Sequence, residues 1–264
     1  AMIDASYLNI LQGKKHLHFI GIGGSGMYPL VQILHARGFY ITGSDNNEGD
    51  TLDAERKMGI PITIGHDAKN LGDADLVVYT AAIRQDNPEL VYAKEHGIPV
   101  VERAAMLGFI PRHYENAICV CGTHGKTTTT AMLTQILMRA DLDPSAVIGG
   151  KLPAIGGNGR VGKSEIMVCE SCEFCDHFLQ LYPDTAVVLN VDEDQMATLS
   201  VIVNGDDANS MKAVQGIEKP VTTFGYGKEN DYVISNVRPK DGVTTLFDLS
   251  EHGTPLGTFV LGIP

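Results

Sequence analysis

Apolar residues follow two alternating patterns along the chain. Leu17 to Ile22, Phe39 to Gly43, Ile62 to Gly65, Leu76 to Thr80 and Ile98 to Val101 are short, apolar almost throughout, and bounded by polar or glycine positions. Such runs read as strands buried on both faces. Between them the apolar positions recur three and four residues apart. One helix carries Met27, Leu30, Val31 and Leu34; another covers Leu90 to His96 and a short one Ala104 to Ile110. Pro29 falls in the first turn of its helix, where a missing N–H costs little. Gly38 and Gly97 stand where a helix ends. Strands separated by helices predict a parallel, doubly wound sheet, with ligands at the carboxyl ends of the strands. Pro111 to Asn116 is polar and reads as a linker, which divides the chain into residues 1–112 and 113–264.

The second half starts with the same alternation. Ala117 to Val120 is a strand, and Met132, Leu133, Ile136 and Leu137 mark a helix. Ala146 to Gly150 reads as a short strand or turn, and Gly156 to Arg160 as a flexible glycine-rich stretch. Ile166 to Cys169, Thr185 to Leu189, Val201 to Val203 and Val221 to Gly225 are further strands. After Asp231 the helical pattern disappears. Tyr232 to Ile234, Thr244 to Phe247 and Gly257 to Leu261 are separated by polar turns, one of them Asp241-Gly242. That spacing predicts an antiparallel meander. The expected fold class is α/β: a Rossmann-like doubly wound N-terminal domain, then a P-loop ATPase-type α/β central domain carrying the meander.

Two glycine loops carry the candidate chemistry. Gly122-Thr123-His124-Gly125-Lys126-Thr127-Thr128 lies between a strand and a helix. Backbone N–H groups of such a loop converge at the positive end of a helix dipole, where phosphate binds. Lys126 supplies a cation for the terminal phosphates and the Thr127 hydroxyl a ligand for Mg²⁺. The natural ligand is a nucleoside triphosphate. The general phosphate-loop pattern asks for glycine where Val120 stands, so this loop is a shortened form. Glu170, at the end of an otherwise uncharged strand, is a candidate second ligand of the metal, with Asp192 and Asp194 behind it.

The other loop is Gly21-Ile22-Gly23-Gly24-Ser25-Gly26, followed after the next strand by Asp45. Strand, glycines, helix, strand and acid together indicate a nucleotide or diphosphate site. Taken alone this half describes an NAD-dependent oxidoreductase, but that reading leaves the second loop unexplained.

Composition narrows the partners. The net charge of −12 opposes general nucleic-acid binding, which needs a basic stripe. It also means that any phosphate must be held locally. No apolar run reaches membrane-spanning length and nothing reads as a signal peptide, so the expected compartment is the cytoplasm, without membrane insertion. Ala1, ahead of Met2, reads as an addition before a natural start. Cys169, Cys172 and Cys175 form C-x-x-C-x-x-C with no fourth ligand at a usual spacing; buried thiols are the expected role for them and for Cys119 and Cys121.

Taken together, Gly21 to Met27, Gly122 to Thr128, Ile148-Gly149-Gly150 and Asn190 with its following acids resemble the Mur ligases of peptidoglycan synthesis, over nearly the whole chain. The shortened phosphate loop is that family's own form. The resemblance implies an ATP-dependent ligase acting on UDP-N-acetylmuramate, ATP and L-alanine, with Mg²⁺. Gly21, Ile22, Gly23, Gly24, Ser25, Gly26, Met27, Asp45, Thr80 and Ala81 would line the UDP-sugar site. Gly122 to Thr128 would bind ATP. Lys126 and His124 would be catalytic, His124 either touching the substrate near the γ-phosphate or shaping the loop. Thr127 and Glu170 would hold the metal. A peptide-recycling member of the same family is the alternative within it. Two departures stand out: Gln195-Met196-Ala197-Thr198 replaces an expected histidine and helix, and the family continues beyond Pro264. The sequence therefore reads as a joined or shortened form of a longer chain, expected to bind UDP-sugar without turning over.

Overall fold

The structure is a computed structural model that describes residues 10–170, 183–190, 200–217, 219–240 and 244–262. It holds two sheets. The first contains β1 (His16–Ile20), β2 (Tyr40–Asp45), β3 (Ile62–Ile64), β4 (Leu76–Tyr79) and β5 (Val100–Glu102), in the order β3-β2-β1-β4-β5 with every pair parallel. The crossovers are made by α1 (Tyr28–Ala36), α2 (Asp50–Lys57), a 3-10 turn over Ala68–Leu71, and α3 (Pro88–Glu95); α4 (Arg103–Phe109) follows β5. Strand order reverses at β1, so the crevice for a ligand opens where β1 ends, at Gly21. α3 starts cleanly because Asn87 accepts hydrogen bonds from the Glu89 and Leu90 N–H groups and Pro88 fills the first helical position.

The second sheet has ten strands. Its centre is β6 (Asn116–Cys121), flanked by β9 (Ile166–Glu170) and β10 (Thr185–Val188). β7 (Ser145–Leu152) and β8 (Gly157–Arg160) lie beyond β9, while β11 (Ser200–Asn204) and β12 (Val221–Gly225) lie beyond β10. α5 (Lys126–Arg139) follows the phosphate loop, and α6 (Ala208–Ala213) links β11 to β12. The meander β13 (Tyr232–Pro239), β14 (Thr245–Glu251) and β15 (Thr254–Leu261) continues the same sheet. Its first strand pairs parallel with β12, while β13–β14 and β14–β15 are antiparallel. The expected turn at Asp241-Gly242 lies outside the described residues.

Of the two readings open for Ala146 to Gly150, the structure takes the strand, as part of an eight-residue one. Gly156 to Arg160 is not a flexible stretch: most of it is β8, antiparallel to β7 and packed on α1. Its glycine has a packing reason, because a Cβ at Gly159 would come within 2.7 Å of the Pro29 Cβ. Pro111 to Asn116, read as a polar linker, runs between the two sheets and is packed in part. Ile110, Pro111 and Tyr114 are buried, and the Arg37 guanidinium stacks over the Tyr114 ring at 4.1 Å. One hydrophobic cluster therefore runs from Leu17, Phe19 and Leu30 of the first half through Tyr114 to Cys119, Val147 and Met167 of the second. Each such side chain, fully buried, contributes about 1.5–3 kcal/mol.

Candidate functional site

The first loop is built from its own strand neighbours. Gly21 and Ile22 donate their N–H groups to the Ser44 carbonyl on β2, at 2.8 and 3.1 Å. The Gly23 N–H donates to Asp45 Oδ2 at 3.0 Å. The Gly24 N–H turns back to the Gly21 carbonyl, and α1 starts from Gly24 as the Met27 and Tyr28 N–H groups reach its oxygen. Gly21 has φ +78°, and a Cβ there would lie 2.9 Å from Thr80 Cγ2; this position demands glycine on both counts. Asp45, expected to meet a ribose, is thus also a fastening for the loop. Ile22 and Met27 are core residues, 0% and 1% exposed, so they can offer a ligand only main-chain atoms. Ser25 is exposed. Thr80 and Ala81 form the facing turn, closed by the bond from the Ile83 N–H to the Thr80 carbonyl at 2.9 Å.

Arg103, the first residue of α4, lies against the loop: a Cβ at Gly26 would sit 3.3 Å from Arg103 Nη1. Sequence reasoning missed this cation. A usable signal was present, since Glu102-Arg103 directly follows a strand in a fold that binds at strand ends. Glu55 of α2 was missed as well. It is 0% exposed, and neither carboxylate oxygen has a hydrogen-bond partner among the described residues. Burial, and then the Asp45 carboxylate, push its pKa up to about 8, so the folded protein holds it as the neutral acid.

The second loop sits between the ends of β9 and β10, which present Glu170 and Asn190 on its two sides. Asn190 clamps it. The side-chain Oδ1 accepts from the His124 N–H at 2.9 Å, Nδ2 donates to the His124 carbonyl at 3.0 Å, and the main-chain oxygen accepts from the Thr123 N–H at 3.3 Å. Gly125 takes φ +85° as the residue that launches α5. Lys126 Nζ folds back to donate to the Gly122 and Thr123 carbonyls. His124, Thr127 and Thr128 are exposed. The bonds that shape the loop at His124 are made by its main chain, which leaves the imidazole at the surface.

The Thr127 hydroxyl bonds Glu170, and so does the Gly149 N–H. Burial pushes the Glu170 carboxyl above its ordinary range, only partly offset by Thr127 and Lys126. Glu170 Oε2 is buried with no partner among the described residues. A Cβ at Gly149 would overlap Glu170 Oε1, so glycine there keeps the carboxylate in place. A hydroxyl and a half-satisfied carboxylate at a phosphate loop are the donor set of a hard divalent cation. No cluster of three His, Cys, Asp or Glu side chains among the described residues could hold a metal on its own. Asp192, Asp194, Cys172, Cys175 and Gln195 to Thr198 lie outside the described residues. Cys119 and Cys169 face each other on β6 and β9 with sulfurs 2.9 Å apart; that contact, then burial, keeps Cys119 a thiol.

Comparison with known proteins accords with this geometry. A sequence model described as "Mur ligase family, catalytic domain" matches residues 16–115. A protein of Caldanaerobacter subterraneus subsp. tengcongensis named UDP-N-acetylmuramate–L-alanine ligase is 42% identical, over 96% of this chain and 60% of its own length. One of the same name from Alkaliphilus metalliredigens is 37% identical, over 95% of this chain and 59% of its own length. Among solved structures, the UDP-N-acetylmuramate–alanine ligase of Thermotoga maritima superposes with a TM-score of 0.78 at 27% identity, over 95% of this chain and 61% of that one. A murein peptide ligase of Psychrobacter arcticus, at 23% identity and a TM-score of 0.80, shows the same fold. The chain spans about three-fifths of the length of the curated relatives it matches. The first match runs over 275 aligned positions, more than the 264 residues here, so that relative carries residues without a counterpart in this chain. These matches, with two glycine loops at strand ends, the second clamped by Asn190, place the chain in the Mur ligase family.

Proposed function

We propose that the chain is the nucleotide-handling part of an ATP-dependent ligase that joins L-alanine to the lactyl carboxylate of UDP-N-acetylmuramate. The observation that carries this reading is the presence of two separate glycine loops on one chain, each joining a strand end to a helix at a strand-order reversal. Residues 1–112 hold the UDP-sugar. Its diphosphate lies on Gly23 to Gly26 with Arg103 beside it, and Asp45, Thr80 and Ala81 line the crevice. Residues 113–264 hold ATP on Gly122 to Thr128. An oxidoreductase needs only the first site; the second, with its lysine, threonine and buried carboxylate, is the equipment of phosphoryl transfer.

The reaction has two steps. The substrate carboxylate attacks the γ-phosphorus, ADP departs, and an acyl phosphate forms. The amine of L-alanine then attacks the acyl carbon and phosphate leaves. Lys126 swings from its carbonyl contacts to the β,γ-phosphates and offsets their developing charge. Thr127 and Glu170 would hold Mg²⁺, which would supply neutralisation of the phosphate charge when bound. His124, exposed at the loop, contacts the substrate beside the γ-phosphate. Positioning carries most of the rate, since both steps bring reactants into line without protein covalency.

The test supplies UDP-N-acetylmuramate, ATP, Mg²⁺ and L-alanine and measures phosphate release alongside binding of each nucleotide. The UDP-sugar binds at one site, and any phosphate release depends on it. Release indifferent to the sugar nucleotide, or displacement of the sugar nucleotide by NAD, would refute the proposal. The peptide-ligase alternative predicts release with a tripeptide amine and none with L-alanine.

A further inference from the structure

Glu89 lies on α3, outside every loop discussed above, and its carboxylate is 0% exposed. Three donors converge on it from different elements. The Ser44 hydroxyl on β2 donates to Oε2 at 2.6 Å. Asn70 Nδ2, in the 3-10 turn after β3, donates to Oε1 at 2.7 Å. His66 Nδ1, in the loop after β3, stands 3.0 Å from Oε2. His18 Nε2 on β1 is 3.6 Å from Oε1, a charge contact rather than a good hydrogen bond. Burial pushes the Glu89 carboxyl up, but the contacts from His18, Ser44 and Asn70 outweigh it and leave the group below its ordinary value. Glu89 is therefore an ion, its buried charge held by these donors. Behind it the chain of contacts runs on through Thr42 Oγ1, which bonds both His18 and His16, to Asp73 at the surface.

The partners of Glu89 are the supports of the first loop. Ser44, held by its side chain, uses its carbonyl to receive the Gly21 and Ile22 N–H groups. Asp45, the next residue, receives the Gly23 N–H. Asn70 also donates to the Gly65 carbonyl, and the Gly65 N–H donates to the Asp45 carbonyl. One carboxylate thus ties the carboxyl ends of β2 and β3 together under the glycine loop. A buried ion with several donors costs several kcal/mol unless its geometry is kept, which makes the arrangement stiff.

We propose that Glu89 is a positioning residue of the first ligand site, fixing the glycine loop through Ser44 and Asn70 in the shape that receives the diphosphate of the UDP-sugar. The inference rests on the reading of that site given under the proposed function. Glu89 touches no ligand; it sets the direction of the Gly21 to Gly23 amides. Glu89→Gln keeps the volume and turns an acceptor into a donor facing Ser44, His66 or Asn70, so the tie fails without a cavity.

The test titrates UDP-N-acetylmuramate and, separately, Mg-ATP into the chain and into Glu89→Gln, Ser44→Ala and the double variant, with thermal unfolding of each. Loss of a charge-assisted bond predicts about tenfold or more weaker UDP-sugar binding in Glu89→Gln. Mg-ATP affinity should change by less than about twofold, since the phosphate loop shares no partner with Glu89. The milder Ser44→Ala loses less, and the double variant is no worse than Glu89→Gln, because both cut one tie. His16→Gln, at the far end of the chain of contacts, leaves UDP-sugar affinity unchanged. Equal loss of both ligands, or a lowered melting temperature with intact UDP-sugar affinity, would overturn the assignment and leave Glu89 a structural residue. If the unmutated chain binds no UDP-sugar, the functional proposal fails instead. The positioning claim is then read from amide exchange at Gly21 to Gly23, which speeds up in Glu89→Gln if it is right and stays unchanged if it is wrong.

Discussion

The two glycine loops solve the same problem in opposite states of readiness. In the first, the amides of Gly21, Ile22, Gly23 and Gly24 are already bonded within the protein, and Ile22 and Met27 anchor it in the core. The second is clamped at one end by Asn190, but its working groups are unsettled. Lys126 bonds the carbonyls of its own loop, Thr127 and Thr128 are exposed, and Glu170 keeps a buried oxygen without a partner among the described residues. A preformed cradle suits a ligand that is held while chemistry happens elsewhere. A loop that must release its lysine from its own carbonyls suits a ligand that is consumed and replaced. The expected cost is that metal and nucleotide bind the second loop together or weakly.

Substitutions can break this contrast from the active side first. Lys126→Ala should weaken ATP binding by about a hundredfold or more while UDP-sugar affinity is unchanged, because the loss is a charge-assisted contact to phosphate alone; paired titrations of the two nucleotides check it. Gly149→Ala comes next. Its methyl group overlaps Glu170 Oε1, and displacing the carboxylate should cost about 1–3 kcal/mol of Mg²⁺-dependent nucleotide affinity, visible as lost magnesium stimulation with metal-free binding retained.

The preformed loop predicts a stability effect instead. Unfolded, Glu55 ionises near 4.5; folded, it keeps its proton up to about 8. The folded state therefore binds an extra proton between those values, and stability falls as pH rises, with the whole penalty present above about pH 8. Glu55→Gln should gain about 2 kcal/mol at pH 8 and nothing at pH 4, measured by denaturant unfolding at both. The smallest effect is the pH response of the metal. Because the Glu170 carboxyl lies above its ordinary range, magnesium stimulation should fall at a higher pH than an exposed carboxylate would give, by a few-fold per pH unit. Glu170→Gln should remove the stimulation and the pH response together.

What the sequence disclosed follows from how local each signal is. The parallel strands were legible because strands buried on both faces are apolar throughout, as in Leu76 to Tyr79. Both loops were legible because glycine is required where φ is positive or backbone passes close to a side chain. The same residue misled at Gly156 to Arg160, where Gly159 signals close packing on Pro29 rather than freedom. Polar letters hid the packing of Pro111 to Asn116, since Tyr114 is covered by an arginine 77 positions earlier. Glu55 and Glu89 could not be read as special from the chain alone, and Arg103 only from its place at a strand end. Their roles come from partners on other elements, such as Ser44 and Asn70 for Glu89. Asn190 was noticed as a family mark, but its three bonds to Thr123 and His124 become visible only in the fold.

The central claim is that one chain carries two independent nucleotide sites with different partners. Calorimetric titration of UDP-N-acetylmuramate into the chain, with and without saturating Mg-ATP, tests it most directly. The account predicts one UDP-sugar site whose occupancy does not exclude ATP, and a second site that disappears in Lys126→Ala alone. Mutual displacement of the two nucleotides at a single site would contradict it.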